Sequence, residues 1–203
     1  MRIFGRKKRD TLEARLEKLA GAGVHLAPGR TVDELLESWS REDLESGSYF
    51  DLVVGLGLEV ETGRDAGAHY TDQLFTLDLE CIEDHGDYSR VFRDFERLFQ
   101  GEMALVELED EVDIDQGQAR ISFSTNGQSF EHAFEQKDDW LSEEAIRFWA
   151  DVVNEIRQKH PEKISRQMAS FGDGGQGVVF VCLRPAELNA FRKLTRIDVD
   201  MIC

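Results

Sequence analysis

The chain has 203 residues, and its 24 Lys and Arg stand against 41 Asp and Glu, which gives a formal charge of −17. This excess of carboxylates disfavours DNA or RNA as a direct ligand, because nucleic-acid phosphates are held by cations. No apolar run approaches the roughly 20 residues of a membrane span, and the N-terminus lacks the apolar stretch of a secretory signal. We therefore expect a cytoplasmic protein that binds neither nucleic acid nor membrane.

Residues 1–60 are predicted to form an N-terminal helical segment that packs on the main domain. The sequence T-V-D-E at Thr31 is a capping box, and it begins one of these helices. The apolar run of residues 49–60 fits either a short helix or a buried strand, because a run this short does not separate the two. We favour a helix that ends near Gly55 or Gly57, followed by an extended piece.

Residues 61–203 are predicted to form an α+β domain. From residue 73 apolar and polar residues alternate, which indicates a half-buried strand, and Asp87 is predicted to cap the helix that follows. Three strands come next. Asn126-Gly127 joins two of them, because this dipeptide is the strongest short-range signal for a hairpin turn.

The rest of the chain gives a long helix capped by Ser142, two strands joined by a glycine turn, a helix that begins at Pro185 and a last strand. The turn, residues 172–177, matches the G-x-G-x-x-G pattern of dinucleotide-binding loops. It leads into a β-rich run, however, where such a loop would lead into a helix. Since hairpins dominate, we predict an α+β fold with a mainly antiparallel sheet and helices packed on one face.

The sequence E-C-I-E-D-H-G-D, which begins at Glu80, contains every ligand type that a divalent metal prefers, at the end of a predicted strand. A metal-dependent hydrolase is therefore the alternative function. No second histidine lies three or four residues from His85, and a capped loop explains the sequence equally simply. The three cysteines are far apart, so neither a disulfide framework nor a structural zinc site is expected. No cofactor is expected. The residues of the alternative metal site are Glu83, Asp84, His85 and Asp87, with Glu80 beside them.

Several motifs together cover most of residues 30–200. F-T-L-D-L-E-C-I-E-D-H-G-D-Y is followed by V-D-I-D-x-G-x-A-x-I-S-F, by D-D-W and by G-G-Q before a strand and a Pro-Ala-Glu helix. In these motifs the chain resembles a family of poorly characterised acidic bacterial proteins, and it loosely resembles the immunity proteins of bacterial toxin systems. The resemblance implies a binding function and carries no catalytic residue over to this sequence.

The leading hypothesis is an immunity protein that binds a cognate toxin or effector domain and occludes its active site. An acidic surface attracts a basic partner and speeds their encounter. A tryptophan beside charged residues is a typical anchor of such an interface. A non-catalytic scaffold protein is a further alternative. The predicted contacts are Glu107, Glu109, Asp110, Glu111, Asp113 and Asp115, with Asp138, Asp139 and Trp140 as a second patch.

Overall fold

The computed structural model describes residues 9–60, 67–172 and 175–203, and within them the chain forms seven helices and seven strands. The strands form two antiparallel sheets, a larger one of order β1-β6-β5-β7 and a smaller one of order β2-β3-β4. The predicted α+β class and antiparallel pairing are confirmed. The helices are α1 (Leu12–Ala20), α2 (Val32–Ser38), α3 (Arg41–Ser46), α4 (Tyr49–Gly57), α5 (Asp87–Leu98), α6 (Glu143–Lys159) and α7 (Pro185–Thr195); the strands are β1 (Leu74–Asp78), β2 (Val106–Asp113), β3 (Gln118–Thr125), β4 (Gln128–Glu135), β5 (Gln167–Gly172), β6 (Gly177–Leu183) and β7 (Asp200–Met201).

The N-terminal helices begin where the sequence places their caps. The capping box of α2 is complete: the backbone N–H of Thr31 donates to Glu34 Oε2 at 2.7 Å, and the N–H of Glu34 donates to Thr31 Oγ1 at 3.3 Å. A second capping box, between Ser48 and Asp51, begins α4. The ambiguous apolar run is thus a helix through Gly57, as predicted, because a strong start signal adds to its apolar face.

The larger sheet is buried on both faces. Along β6 successive side chains alternate between two hydrophobic clusters. Val179 and Val181 pack with α1–α4 and α7, whereas Phe180 and Cys182 pack with α5 and α6. Helices therefore cover both faces of the larger sheet, and the N-terminal helical segment shares one of its two cores.

In the described part of the chain, helices cover one face of the smaller sheet. Its inner residues Ile121 and Phe123 belong to the cluster that surrounds Trp149 of α6, which is fully buried. The ring of Trp149 lies 5.3 Å from that of Phe92 and 5.5 Å from that of Phe95, both on α5. The opposite face of this sheet carries exposed and half-buried polar side chains along all three strands.

The predicted hairpins form, whereas the predicted N-cap of α5 does not. Asn126 and Gly127 both have positive φ angles, 52° and 78°, which is the type I′ geometry that the dipeptide favours. Gly172 pairs with Val178 across the second hairpin; Asp173 and Gly174 of that turn lie outside the described residues, as does the basic segment of residues 1–8. The predicted cap of α5 is wrong, because the N-cap residue is Gly86.

Among residues 9–60, 67–172 and 175–203, no helix is both long and apolar enough to cross a membrane.

Candidate partner-binding face

The outer face of the smaller sheet is built by the two-residue period of its strands. Cross-strand register places Glu109 of β2, Ser122 of β3 and Glu131 of β4 in one row. The next row contains Glu111, Arg120 and Ala133. Side chains in such rows point to the same face, so carboxylates from two strands share this surface. We call this surface the acidic face; its exposed carboxylates are Glu109, Glu111, Glu131 and Glu135, together with Glu107, which lies at a bulge of β2 with a φ of 54° and lines the same depression as Glu109 and Glu131.

The charge of the acidic face is strongly unbalanced. Arg120 is the one Lys or Arg in the sequences of the three strands, and its guanidinium bridges Glu111 at 2.8 Å and Glu131 at 3.1 Å. Its hydrogen bond holds the pKa of Glu111 below the usual value, so that carboxylate stays ionised near neutral pH. Five carboxylates against one guanidinium leave a net charge of −4 on an exposed sheet surface.

Beyond the end of β4, the loop of residues 138–140, here named the Trp140 loop, is fixed by a buried glutamine. Gln136 Nε2 donates to the carbonyl oxygens of Asp138 at 2.6 Å and of Trp140 at 2.8 Å. Gln136 Oε1 accepts a hydrogen bond from the hydroxyl of Tyr88 at 2.6 Å, and this hydroxyl also accepts one from the N–H of Ser142 at 3.2 Å. This hydrogen-bond network thus joins the Trp140 loop to the starts of α5 and α6.

The Trp140 loop also pairs with the chain that follows β1. Glu80 and Trp140 form an antiparallel bridge, and the N–H of Leu141 donates to the carbonyl of Leu79 at 2.8 Å. The tryptophan side chain is nevertheless 37% exposed, in a protein whose other aromatic side chains are mostly buried. A large aromatic group is therefore presented to solvent on backbone that is held from two sides.

The two patches predicted from the sequence form one continuous surface. Glu135 lines the shallow depression over Arg120, and it also lines the groove beside Trp140 at the start of α6. Glu131 and Glu135 were not among the predicted contacts, although the alternation of polar and apolar residues along β4 would have placed both on the outer face. The acidic face and the Trp140 loop together make the candidate binding surface.

Three of the predicted contacts have other positions or roles. Asp110 points inward and accepts hydrogen bonds from the backbone N–H of Gly86 at 2.8 Å and of Ser89 at 3.2 Å, so it holds the start of α5. Asp113 Oδ1 accepts the N–H of Gln116 at 2.9 Å inside the β2–β3 turn. Asp115 is exposed at the tip of this turn. Glu107, Glu109 and Glu111 lie on the acidic face, and Asp138, Asp139 and Trp140 form the adjoining loop.

The alternative metal ligands are engaged in contacts that build the fold. Asp87 Oδ2 accepts the N–H groups of Glu83 at 2.8 Å and Asp84 at 2.9 Å, and His85 Nδ1 accepts the N–H of Val112 at 2.8 Å. Burial raises the pKa of the nearby Cys81 thiol to about 11. A thiol with so high a pKa is not a thiolate near neutral pH, so Cys81 is disfavoured as a metal ligand. Within the described ranges, the donor atoms of residues 83–87 do not converge as a set of three.

Comparison with protein-family models, with curated proteins and with solved structures gives no match to this chain. The resemblance to immunity proteins therefore remains a prediction.

Proposed function

We propose that this protein is an immunity-type binding protein, which neutralises a toxin or effector domain by placing the acidic face over a basic active site. The observation that carries the proposal is a sheet face with five exposed carboxylates and one basic side chain, next to a fixed and exposed tryptophan. Both features are typical of binding surfaces, and neither contributes to the hydrophobic cores.

The charge pattern favours a partner that itself binds polyanions. A domain that acts on nucleic acid must hold phosphates with Lys and Arg around its active site. Glu109 and Glu111, two residues apart on β2, offer these cations an alternative set of anions, and Glu107 at the neighbouring bulge adds a third. Attraction between the two fields speeds association, and the bulk of the sheet then excludes the substrate.

Trp140 supplies the second component of the proposed interface. Tryptophan buries a large area on binding, and its ring face attracts guanidinium and ammonium groups. Because Gln136 fixes the backbone of the loop, little conformational entropy is lost when the partner binds. We expect charge to govern the association rate and Trp140 to govern the dissociation rate.

The test begins with capture of the partner from lysate of the native bacterium and continues with the purified pair. The variant Glu107→Lys/Glu109→Lys reverses charge on the acidic face, and Glu17→Lys/Glu37→Lys makes the same change at exposed positions on α1 and α2. We expect the first variant to lower the association rate about tenfold or more and to flatten its salt dependence. The control should associate at nearly the wild-type rate.

Inhibition is measured on the partner's own activity, in the test tube and by co-expression. The proposal requires that the wild-type protein abolish this activity and that Trp140→Ala weaken the inhibition through a faster dissociation rate. A partner that binds equally well to the Glu107→Lys/Glu109→Lys variant, or that keeps its full activity in the complex, would refute it.

A further inference from the structure

A second constellation lies away from the acidic face, where three segments meet. Glu59 follows α4, His69 precedes β1, and Asp94 lies in the middle of α5. Glu59 and His69 form an antiparallel bridge, so their side chains lie on the same side of the paired backbone. One donor atom from each of the three residues lies within 4.8 Å of those of the other two.

Two of the three side chains are largely buried, whereas Glu59 is exposed. The side chains of His69 and Asp94 are 14% and 9% exposed, and His69 Nε2 lies 2.9 Å from Asp94 Oδ1. His69 Nδ1, on another side of the ring, is buried and has no hydrogen-bond partner among the described residues. The nitrogen that faces Asp94 is therefore Nε2, and the pair presents one imidazole nitrogen and one carboxylate to the same space.

The charges around the group favour an added cation. Two carboxylates held this close repel each other, and a bound cation relieves the repulsion. Arg97 Nε contacts Asp94 Oδ1 at 3.1 Å and compensates one of the two. Both His69 and Arg97 contact Oδ1, and within the described part of the chain no hydrogen bond engages Oδ2 of Asp94. One carboxylate charge and one carboxylate oxygen therefore remain for a ligand.

We propose that Glu59, His69 and Asp94 bind a divalent transition-metal ion, with Zn²⁺ as the best match. One imidazole nitrogen and two carboxylate oxygens suit Zn²⁺, whereas Ca²⁺ and Mg²⁺ prefer ligand sets made of oxygen alone. Three protein ligands leave a fourth position for water. The ion ties the end of the N-terminal helical segment to α5, so it stabilises the fold. This site is independent of the proposed binding function.

The test uses metal-free protein, prepared with a chelator and titrated with Zn²⁺ in a calorimeter, and with Co²⁺ followed by visible absorption. Glu59→Gln removes an exposed ligand with little risk to folding, and His69→Ala removes the imidazole. The matched controls are Glu37→Gln and His25→Ala, which change the same residue types at exposed positions elsewhere. Circular dichroism of every variant verifies that it is folded.

We expect one equivalent of Zn²⁺ per chain, with an affinity about tenfold or more weaker in each ligand variant and unchanged in each control. Zn²⁺ should raise the thermal unfolding midpoint of the wild-type protein by about 5 °C or more when it is well above its dissociation constant. The proposal is overturned if the wild-type protein binds no Zn²⁺ at about 0.1 mM, or if Glu59→Gln and His69→Ala both bind as tightly as the wild type.

Discussion

Asp110 is a carboxylate that stabilises the fold by accepting hydrogen bonds at the start of a helix. It lies on β2 among exposed acidic residues, yet its two oxygens accept the backbone N–H groups of Gly86 and Ser89 as well as the hydroxyl of Ser89. These N–H groups lie at the start of α5, which has no side-chain cap of its own. A negative charge there also complements the helix dipole.

We therefore predict that Asp110→Ala lowers the free energy of unfolding by about 1–2 kcal/mol, the usual cost of losing an N-terminal helix cap. Asp115→Ala is the matched control, because Asp115 is exposed in the neighbouring turn and makes no hydrogen bond within the described residues. Urea unfolding of both variants measures the difference. Equal midpoints for the two variants would mean that Asp110 is no more than another surface carboxylate.

Asp87 makes a prediction about pH. Partial burial raises the pKa of its carboxyl, but hydrogen bonds from the N–H groups of Asp84 and Glu83 outweigh this and bring the pKa below the ordinary 3.8. A pKa lowered by folding means that ionised Asp87 stabilises the folded state above the unfolded-state pKa. This stabilisation is lost as the pH falls through the folded-state value.

Asp87→Asn should thus be less stable than the wild type at pH 7, by roughly 0.5–1 kcal/mol for the weakened hydrogen bonds. The difference should shrink as the pH falls below 3.8 and vanish once Asp87 is protonated in both states. Urea unfolding of both proteins from pH 7 down to acid measures the curve. A difference that stays constant over this range would show that the charge of Asp87 contributes nothing.

Residue-scale features are predictable from sequence when the partner is close along the chain. The capping box joins Thr31 to Glu34, three residues later, and it forms as the pattern indicates. Asp110 and Gly86 are 24 residues apart, and the bond between them depends on how α5 docks against β2. The same holds for Glu59, His69 and Asp94, which come from three separate segments. No local pattern singles them out.

At the scale of elements, the packing of α4 on β1 depends on a glycine. A Cβ atom built on Gly57 would overlap Thr76 Oγ1 and come within 3.0 Å of the backbone nitrogen of that residue. The Thr76 hydroxyl is not free to move away, because it donates to the carbonyl of Val54 at 2.9 Å. The helix therefore ends against the strand at a distance that only glycine permits.

We predict that Gly57→Ala destabilises the protein by about 1–3 kcal/mol, as expected for overpacking of a filled core. Gly21→Ala serves as its control. The added methyl group at that position has its nearest neighbour at an ordinary 3.5 Å, and the backbone φ of −64° suits alanine. Thermal unfolding should separate the two variants clearly. If Gly57→Ala unfolds at the wild-type temperature, α4 does not pack as closely on β1 as described.

The order of elements along the chain could be predicted because each has a local signal. Strands show the two-residue period, the hairpin turn shows Asn126-Gly127, and helices show their caps. The division of seven strands into two sheets had no such signal. It depends on which strands pair over long distances, as when β1 pairs with β6 about 100 residues later. Local periodicity carries no information on that choice.

At the scale of the whole molecule, charge and apolar surface are separated. The helices and the inner faces of the two sheets enclose two hydrophobic clusters, and the acidic face is the side of the smaller sheet that no described helix covers. A cluster of like charges on one sheet face is destabilising, because its carboxylates repel each other through the solvent, although Ser122 separates Glu109 from Glu131. Functional surfaces commonly retain residues that lower the free energy of unfolding. The acidic face should therefore be less stable than a charge-balanced sheet of the same shape.

Glu109→Lys tests this relation between stability and binding. Glu109 has no ion-pair partner within the described residues, and it shares a row with Glu131 across Ser122. A lysine there replaces screened repulsion by attraction toward the surrounding carboxylates, so the free energy of unfolding should rise by up to about 0.5 kcal/mol, most clearly at low salt. Glu37→Lys makes the same change in net charge on α2 and should have a smaller effect. Because the acidic face is also the proposed binding surface, the more stable variant should bind the partner more weakly. If both variants stabilise equally, relief of net charge explains the gain, and the acidic face bears no local cost.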